Sequence, residues 1–151
     1  MYLKYLSIKD SDGFPIRHID FKKGANIIKG KESTTSIKTQ TNSLGKTTLL
    51  RCIDFCLCGK WNNFIFDREL KANKNQTVFD FFIQSLPSFE LLIIKNFDDL
   101  NSDNLKIKRK LSVNLKSKTD KSYFSVTNYL NDKEISEQDF TYEIKKFLFG
   151  F

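Results

Sequence analysis

The chain has 151 residues, 40% of them hydrophobic, and 25 Lys and Arg against 18 Asp and Glu give it a net charge of +7. That length buries one core and fits a single domain or part of one. No apolar run reaches the roughly 18 residues of a membrane-spanning helix, the opening Met1-Tyr2-Leu3-Lys4 is not a secretory signal, and three cysteines are an odd number for a disulfide framework. A reducing, cytoplasmic setting with no membrane contact is expected.

Residues 2–9 are rich in β-formers and predict a first strand, ended by a turn at Ser11-Asp12-Gly13. Residues 16–21 predict a second. Lys22-Lys23-Gly24 then turns into a short buried strand over 25–28, which stops at Gly30. Further on, Leu49, Cys52, Ile53, Cys56 and Leu57 recur at i, i+3, i+4, i+7 and i+8, one face of an amphipathic helix, with Gly59 as its stop. Cys52 and Cys56 on that face read as core, since the only histidine, His18, is far away in sequence. Residues 60–76, with Trp61 and several asparagines, read as loop.

The apolar stretches 78–84 and 89–97 read as strands joined by a hairpin at 85–88. Residues 105–113 alternate with period two, apolar on one face and largely basic on the other. A last strand is predicted over 123–130, with a turn at 131–134. Ser136-Glu137-Gln138-Asp139 reads as a helix cap with acids in the first turn. It opens a terminal helix over 136–149 with Phe140, Ile144, Phe147 and Leu148 inside. Residues 77–135 thus form a β-rich subdomain after the first helix, and the fifteen phenylalanines supply much of the core.

Chemistry concentrates in Asn42-Ser43-Leu44-Gly45-Lys46-Thr47-Thr48. A short strand, a glycine, a loop and then Gly-Lys-Thr opening a helix is the topology of a phosphate-binding P-loop. Gly45 allows close backbone approach, and the amides that follow point at a phosphate from a helix N-terminus. Lys46 would reach the β- and γ-phosphates, and the Thr47 hydroxyl would bind Mg²⁺. Position 40 is Gln where the full pattern has Gly. Reading Gly30-Lys31 straight into Asn42 restores a normal loop length. The P-loop then spans 30–48, and the Ser- and Thr-rich residues 32–41 form an insertion expected to loop out beside the nucleotide.

The string Met1-Tyr2-Leu3…Leu6…Ile8, then Phe21…Gly24…Asn26-Ile27-Ile28…Gly30, then Gly45-Lys46-Thr47-Thr48-Leu49-Leu50-Arg51…Ile53-Asp54-Phe55 resembles the start of an SMC-like ATPase. That group contains SMC, RecF, RecN and the double-strand-break repair ATPases, and the likeness is to a bacterial, coiled-coil-containing branch. It covers nearly the whole chain, most closely over 1–59. The resemblance implies an α/β P-loop NTPase fold: the N-terminal lobe of an ABC-type head, with mixed or antiparallel sheets packed around the P-loop helix. It also implies ATP and Mg²⁺ as ligands, with Gly30, Asn42, Ser43, Leu44, Gly45, Lys46, Thr47 and Thr48 at the phosphates. Arg17, with His18, would lie at the adenine or ribose, or else form part of an exposed strand pair. The partners it implies are the C-terminal lobe of the same head, a second head in a head-to-head homodimer, and DNA. A Q-loop glutamine, a Leu-Ser-Gly-Gly signature, a Walker B pair and a switch histidine are not recognisable. Gln138 sits in a helix cap, and Asp54, off the apolar face, reads as a solvent or cap contact. The chain therefore reads as one half of a split head, nearly inactive alone.

Lys106, Lys108, Arg109 and Lys110 line one strand, and Lys116, Lys118 and Lys121 follow it, which is either a phosphate-backbone contact for DNA or a solvated, edge-guarding face. Two other functions stay open. One is a small P-loop kinase or GTPase, although no Walker B strand or base-reading Asn-Lys-x-Asp is visible. The other is a DNA-binding or adaptor module with a vestigial P-loop.

Overall fold

The computed structural model describes residues 1–27, 46–65, 76–99 and 101–150. Within them are six strands and four helices: β1 (Tyr2–Lys9), β2 (Pro15–Asp20), α1 (Lys46–Cys56), α2 (Asn62–Ile65), α3 (Gln76–Ser85), β3 (Ser88–Ile94), β4 (Asn104–Val113), β5 (Phe124–Leu130), β6 (Lys133–Ile135) and α4 (Glu137–Phe149). The strands form one sheet in the order β2-β1-β3-β4-β5-β6, antiparallel at every pairing. This is a mixed α/β architecture.

Alternation along each strand divides the sheet into two faces. Leu6 opposes Leu91, Leu91 opposes Ile107 and Ile107 opposes Leu130, so one buried row crosses four strands. The helices cover that face. Phe55 of α1, Phe64 of α2 and Phe82 of α3 all meet Phe89 of β3, with ring centroids 5.1, 5.5 and 6.3 Å apart. Phe82 also meets Phe124 of β5, and Trp61 meets Phe124 at 5.0 Å. These contacts are edge-to-face except for the stacked Phe64–Phe89 pair, and both arrangements add to the area buried. Among the described residues no helix packs on the opposite face.

Several expectations are corrected. Residues 78–84 belong to helix α3, not to a strand: Phe79 and Phe82 are buried three residues apart, with Val78 half-buried beside them. Phe81 and Ile83 on the outer side turned a helical period into an apparently continuous apolar run. The segment 85–88 is consequently a helix-to-strand connection, with Leu86 at φ +40° and its amide bonded to the Phe82 carbonyl. The expected strand over 25–28 is absent from its described part. Asn26 instead closes a turn, accepting from the Lys22 amide at 2.8 Å and donating to the Lys22 and Gly24 carbonyls, and Ile27 is 88% exposed. Ile28 lies outside the described residues. The loop expected over 60–76 contains α2, and the turn at Asn131 and Asp132 leads into a further short strand, β6. The strand expected over 89–97 ends at Ile94, where the chain turns back through a Lys95–Asp103 ion pair of 3.0 Å.

Helix α1 stops at Cys56, and the left-handed residue after it is Cys58, at φ +78°. Gly59 is needed for a different reason. Its amide donates to the Asp54 carbonyl at 2.7 Å, and a Cβ there would sit 2.7 Å from that oxygen. The terminal helix behaves as its sequence indicated: Ser136 accepts from the Asp139 amide, Glu137 and Asp139 stand in the first turn, and Gly150 closes the end at φ +80°.

Candidate functional site

The helix that opens at the Gly-Lys-Thr string is α1. Leu49, Cys52, Phe55 and Cys56 are buried and anchor it on β3 and β4. Burial pushes the Cys52 thiol up to about 12 and raises that of Cys56 further, so both are neutral packing groups. Thr47 and Thr48 are exposed in the first turn, which carries no acidic side chain. A helix N-terminus with no carboxylate in its first turn favours an anion. Gly30, Asn42, Ser43, Leu44 and Gly45 lie outside the described residues, as do the insertion 32–41 and the Lys46 side chain. Asp54 is exposed, and its carbonyl takes part in the cap at Gly59.

Thr47, on which Mg²⁺ is expected, is exposed in the first turn of α1. Among the described residues no group of three or more His, Cys, Asp or Glu side chains could hold a metal.

Arg17 and His18 lie exposed on the edge strand β2. Arg17 is in register with Ile8, while His18 is 3.3 Å from Asp20 and 5.3 Å, centroid to centroid, from the Tyr5 ring. β2 is two strands across from β3, on which α1 packs, a lateral offset of roughly 10 Å.

The structure divides the basic strand. Lys106, Lys108 and Lys110 project from the open face of the sheet; Arg109 projects from the covered one and is 3% exposed. The lysines there are interleaved with acids. Lys106 pairs with Asp132 at 2.5 Å, and Lys108 lies in register between Glu90 and Tyr129, with Glu134 next in line. Glu90 also accepts from the Tyr5 hydroxyl at 2.6 Å. Lys110, by contrast, is opposed by Ser88 and Thr127, and beyond Ser88 by Lys9. Lys116 and Lys118 are exposed in the loop after β4; the Lys121 side chain lies outside the described residues.

Arg109 occupies a site of its own, and each of its three nitrogens donates. Its Nε donates to Asn128 Oδ1 at 2.7 Å. Its Nη1 donates to the carbonyls of Phe55 and Gly59, each at 2.7 Å, and its Nη2 to both oxygens of Glu137 at 3.2 and 3.3 Å. The Phe55 and Phe140 rings lie 4.5 and 5.1 Å from its Cζ, and Asn128 Nδ2 donates to Glu137 at 2.5 Å. Burial lowers the Arg109 pKa and the Glu137 charge opposes that, yet a guanidinium stays protonated throughout the neutral range. An open cleft of about 320 Å³ lies alongside, lined by Cys58, Trp61, Val126 and Glu137. The sequence held a signal for this placement: Leu105, Ile107, Arg109 and Leu111 share one parity on β4, the apolar one.

In comparisons with known proteins, no family model, no curated protein and no solved structure matches this chain.

Proposed function

We propose that the chain binds ATP with Mg²⁺ at the N-terminal turn of α1, as the N-terminal lobe of an SMC-like ATPase head. The observation that carries this reading is the string Gly45-Lys46-Thr47-Thr48 running into a helix whose first turn is exposed and free of acids, and whose far side is locked into the core. Two exposed apolar side chains support the lobe assignment. Leu50 on α1 is 61% exposed and Ile27, just before the loop, is 88% exposed. In a head completed by a C-terminal lobe, such residues would be covered.

Phosphoryl transfer to water needs charge neutralisation and an oriented water. The amides of the loop, Lys46 and Thr47 supply the first. The first turn of α1 supplies no carboxylate for the second, so this lobe alone would bind nucleotide and hydrolyse almost none. Paired with a C-terminal lobe, it would take part in ATP-gated dimerisation of two heads in a DNA transaction such as repair, maintenance or defence.

Titration with Mg-ATP, followed by calorimetry, tests the reading. Lys46→Ala is expected to weaken binding by at least about tenfold, the scale of losing one charge-assisted contact to phosphate. Binding that survives the substitution intact assigns the nucleotide elsewhere and favours an adaptor with a vestigial loop. Rapid turnover by the chain alone would favour a complete small kinase or GTPase.

A further inference from the structure

A helix leaves its last four carbonyls without partners inside it. In α1, the Leu57 and Gly59 amides satisfy the carbonyls of Ile53 and Asp54, and Arg109 satisfies that of Phe55. The last turn of α1 has no basic residue. The cation favoured by its negative end arrives from β4 instead. Glu137, across the guanidinium, stands in the first turn of α4, where a negative charge is favoured for the same reason. Two helices are thus joined end to start through one ion pair.

We propose that Arg109 is a positioning residue for the phosphate-binding helix, and that its pair with Glu137 makes α4 the element that responds when α1 moves. α1 is a stiff rod of roughly 16 Å, so a shift imposed on its first turn is felt at the Phe55 and Gly59 carbonyls. Those bonds and the one to Asn128 hold Arg109 from inside the core. The contact with Glu137 differs: its side chain is 59% exposed and borders the cleft, so this is where the linkage can give. The inference rests on the nucleotide reading above, and its test separates the two.

The test is hydrogen–deuterium exchange with and without Mg-ATP on the wild type, Glu137→Gln and Lys46→Ala. In the wild type, Mg-ATP is expected to slow exchange about fivefold in both α1 and the first turns of α4. In Glu137→Gln the effect on α1 persists and the effect on α4 disappears, which an ion pair serving stability alone would not produce. A response confined to α1 in the wild type, or an α4 response unchanged in Glu137→Gln, overturns the linkage and leaves the nucleotide reading standing. No response in either helix of the wild type, or a Lys46→Ala response equal to it, overturns the nucleotide reading and the linkage with it.

Discussion

Removing the Arg109 guanidinium gives the strongest test of the core. Arg109→Met keeps an unbranched side chain between the Phe55 and Phe140 rings but deletes every donor. The Phe55 carbonyl and Asn128 Oδ1 are then buried acceptors without a partner, each costing about 1–3 kcal/mol. The Gly59 carbonyl borders the cleft and is open to replacement by water. Relief from holding a charge in the interior offsets part of the loss, leaving a destabilisation of about 3 kcal/mol, the scale of breaking a buried pair from one side. Glu137→Gln should behave differently. Its side chain is 59% exposed, so the pair is screened from that end and contributes about 1 kcal/mol at most. Urea unfolding reads both variants through Trp61, the only tryptophan and 8% exposed. The slope with denaturant should stay constant while the midpoint moves. Equal costs for the two variants, or a cost below about 1 kcal/mol for Arg109→Met, would refute the assignment of Arg109 as a buried hub.

Gly59→Ala drives a Cβ to 2.7 Å from the Asp54 carbonyl oxygen and 2.8 Å from its carbon, so the end of α1 must shift; a loss of about 1–3 kcal/mol in the same assay is expected. Cys52 and Cys56 should resist a thiol reagent at pH 8 in the folded protein and react on unfolding, whereas equal reactivity of all three free thiols would refute their burial. The same shift sets an alkaline limit. An unfolded thiol ionises near 9.0 and the folded Cys52 near 12, so its contribution is complete below pH 9 and falls by roughly 1.4 kcal/mol per pH unit above it. On the open face, Lys110→Glu should weaken a salt-sensitive DNA mobility shift more than Lys106→Glu, because Asp132 already neutralises Lys106. Equal losses would show that this compensation is irrelevant, and an unaltered shift in both would remove the face as a DNA contact.

What could be read from the sequence divides along a physical line. Strand β1 was marked by its β-formers, β4 by its alternation, and the terminal helix by a cap that agrees with an apolar period. Their extents match the structure to within a residue or so. Apolar composition without a clear period misled. The segment Val78, Phe79, Phe81, Phe82 and Ile83 is apolar on all sides, so β propensity decided against a period that only the burial of Phe79 and Phe82 reveals. Ala25 to Ile27 looked like a strand by composition, but Asn26 bonds its own turn more readily than the chain finds a pairing partner.

The basic strand shows the same conflict between residue type and position. Counting charges over 106–110 groups Arg109 with the lysines, whereas pleat parity groups it with Leu105, Ile107 and Leu111. Parity prevails because a one-residue slip would expose all three apolar partners together, and because the burial of one guanidinium is offset where α1 leaves carbonyls open and Asn128 and Glu137 stand within reach. Those acceptors come from three elements far apart in sequence, so no local reading could have supplied them. The same fact explains why the hub belongs at the end of α1: a helix terminus is one of the few places where a core exposes unsatisfied carbonyls that an arginine can complete.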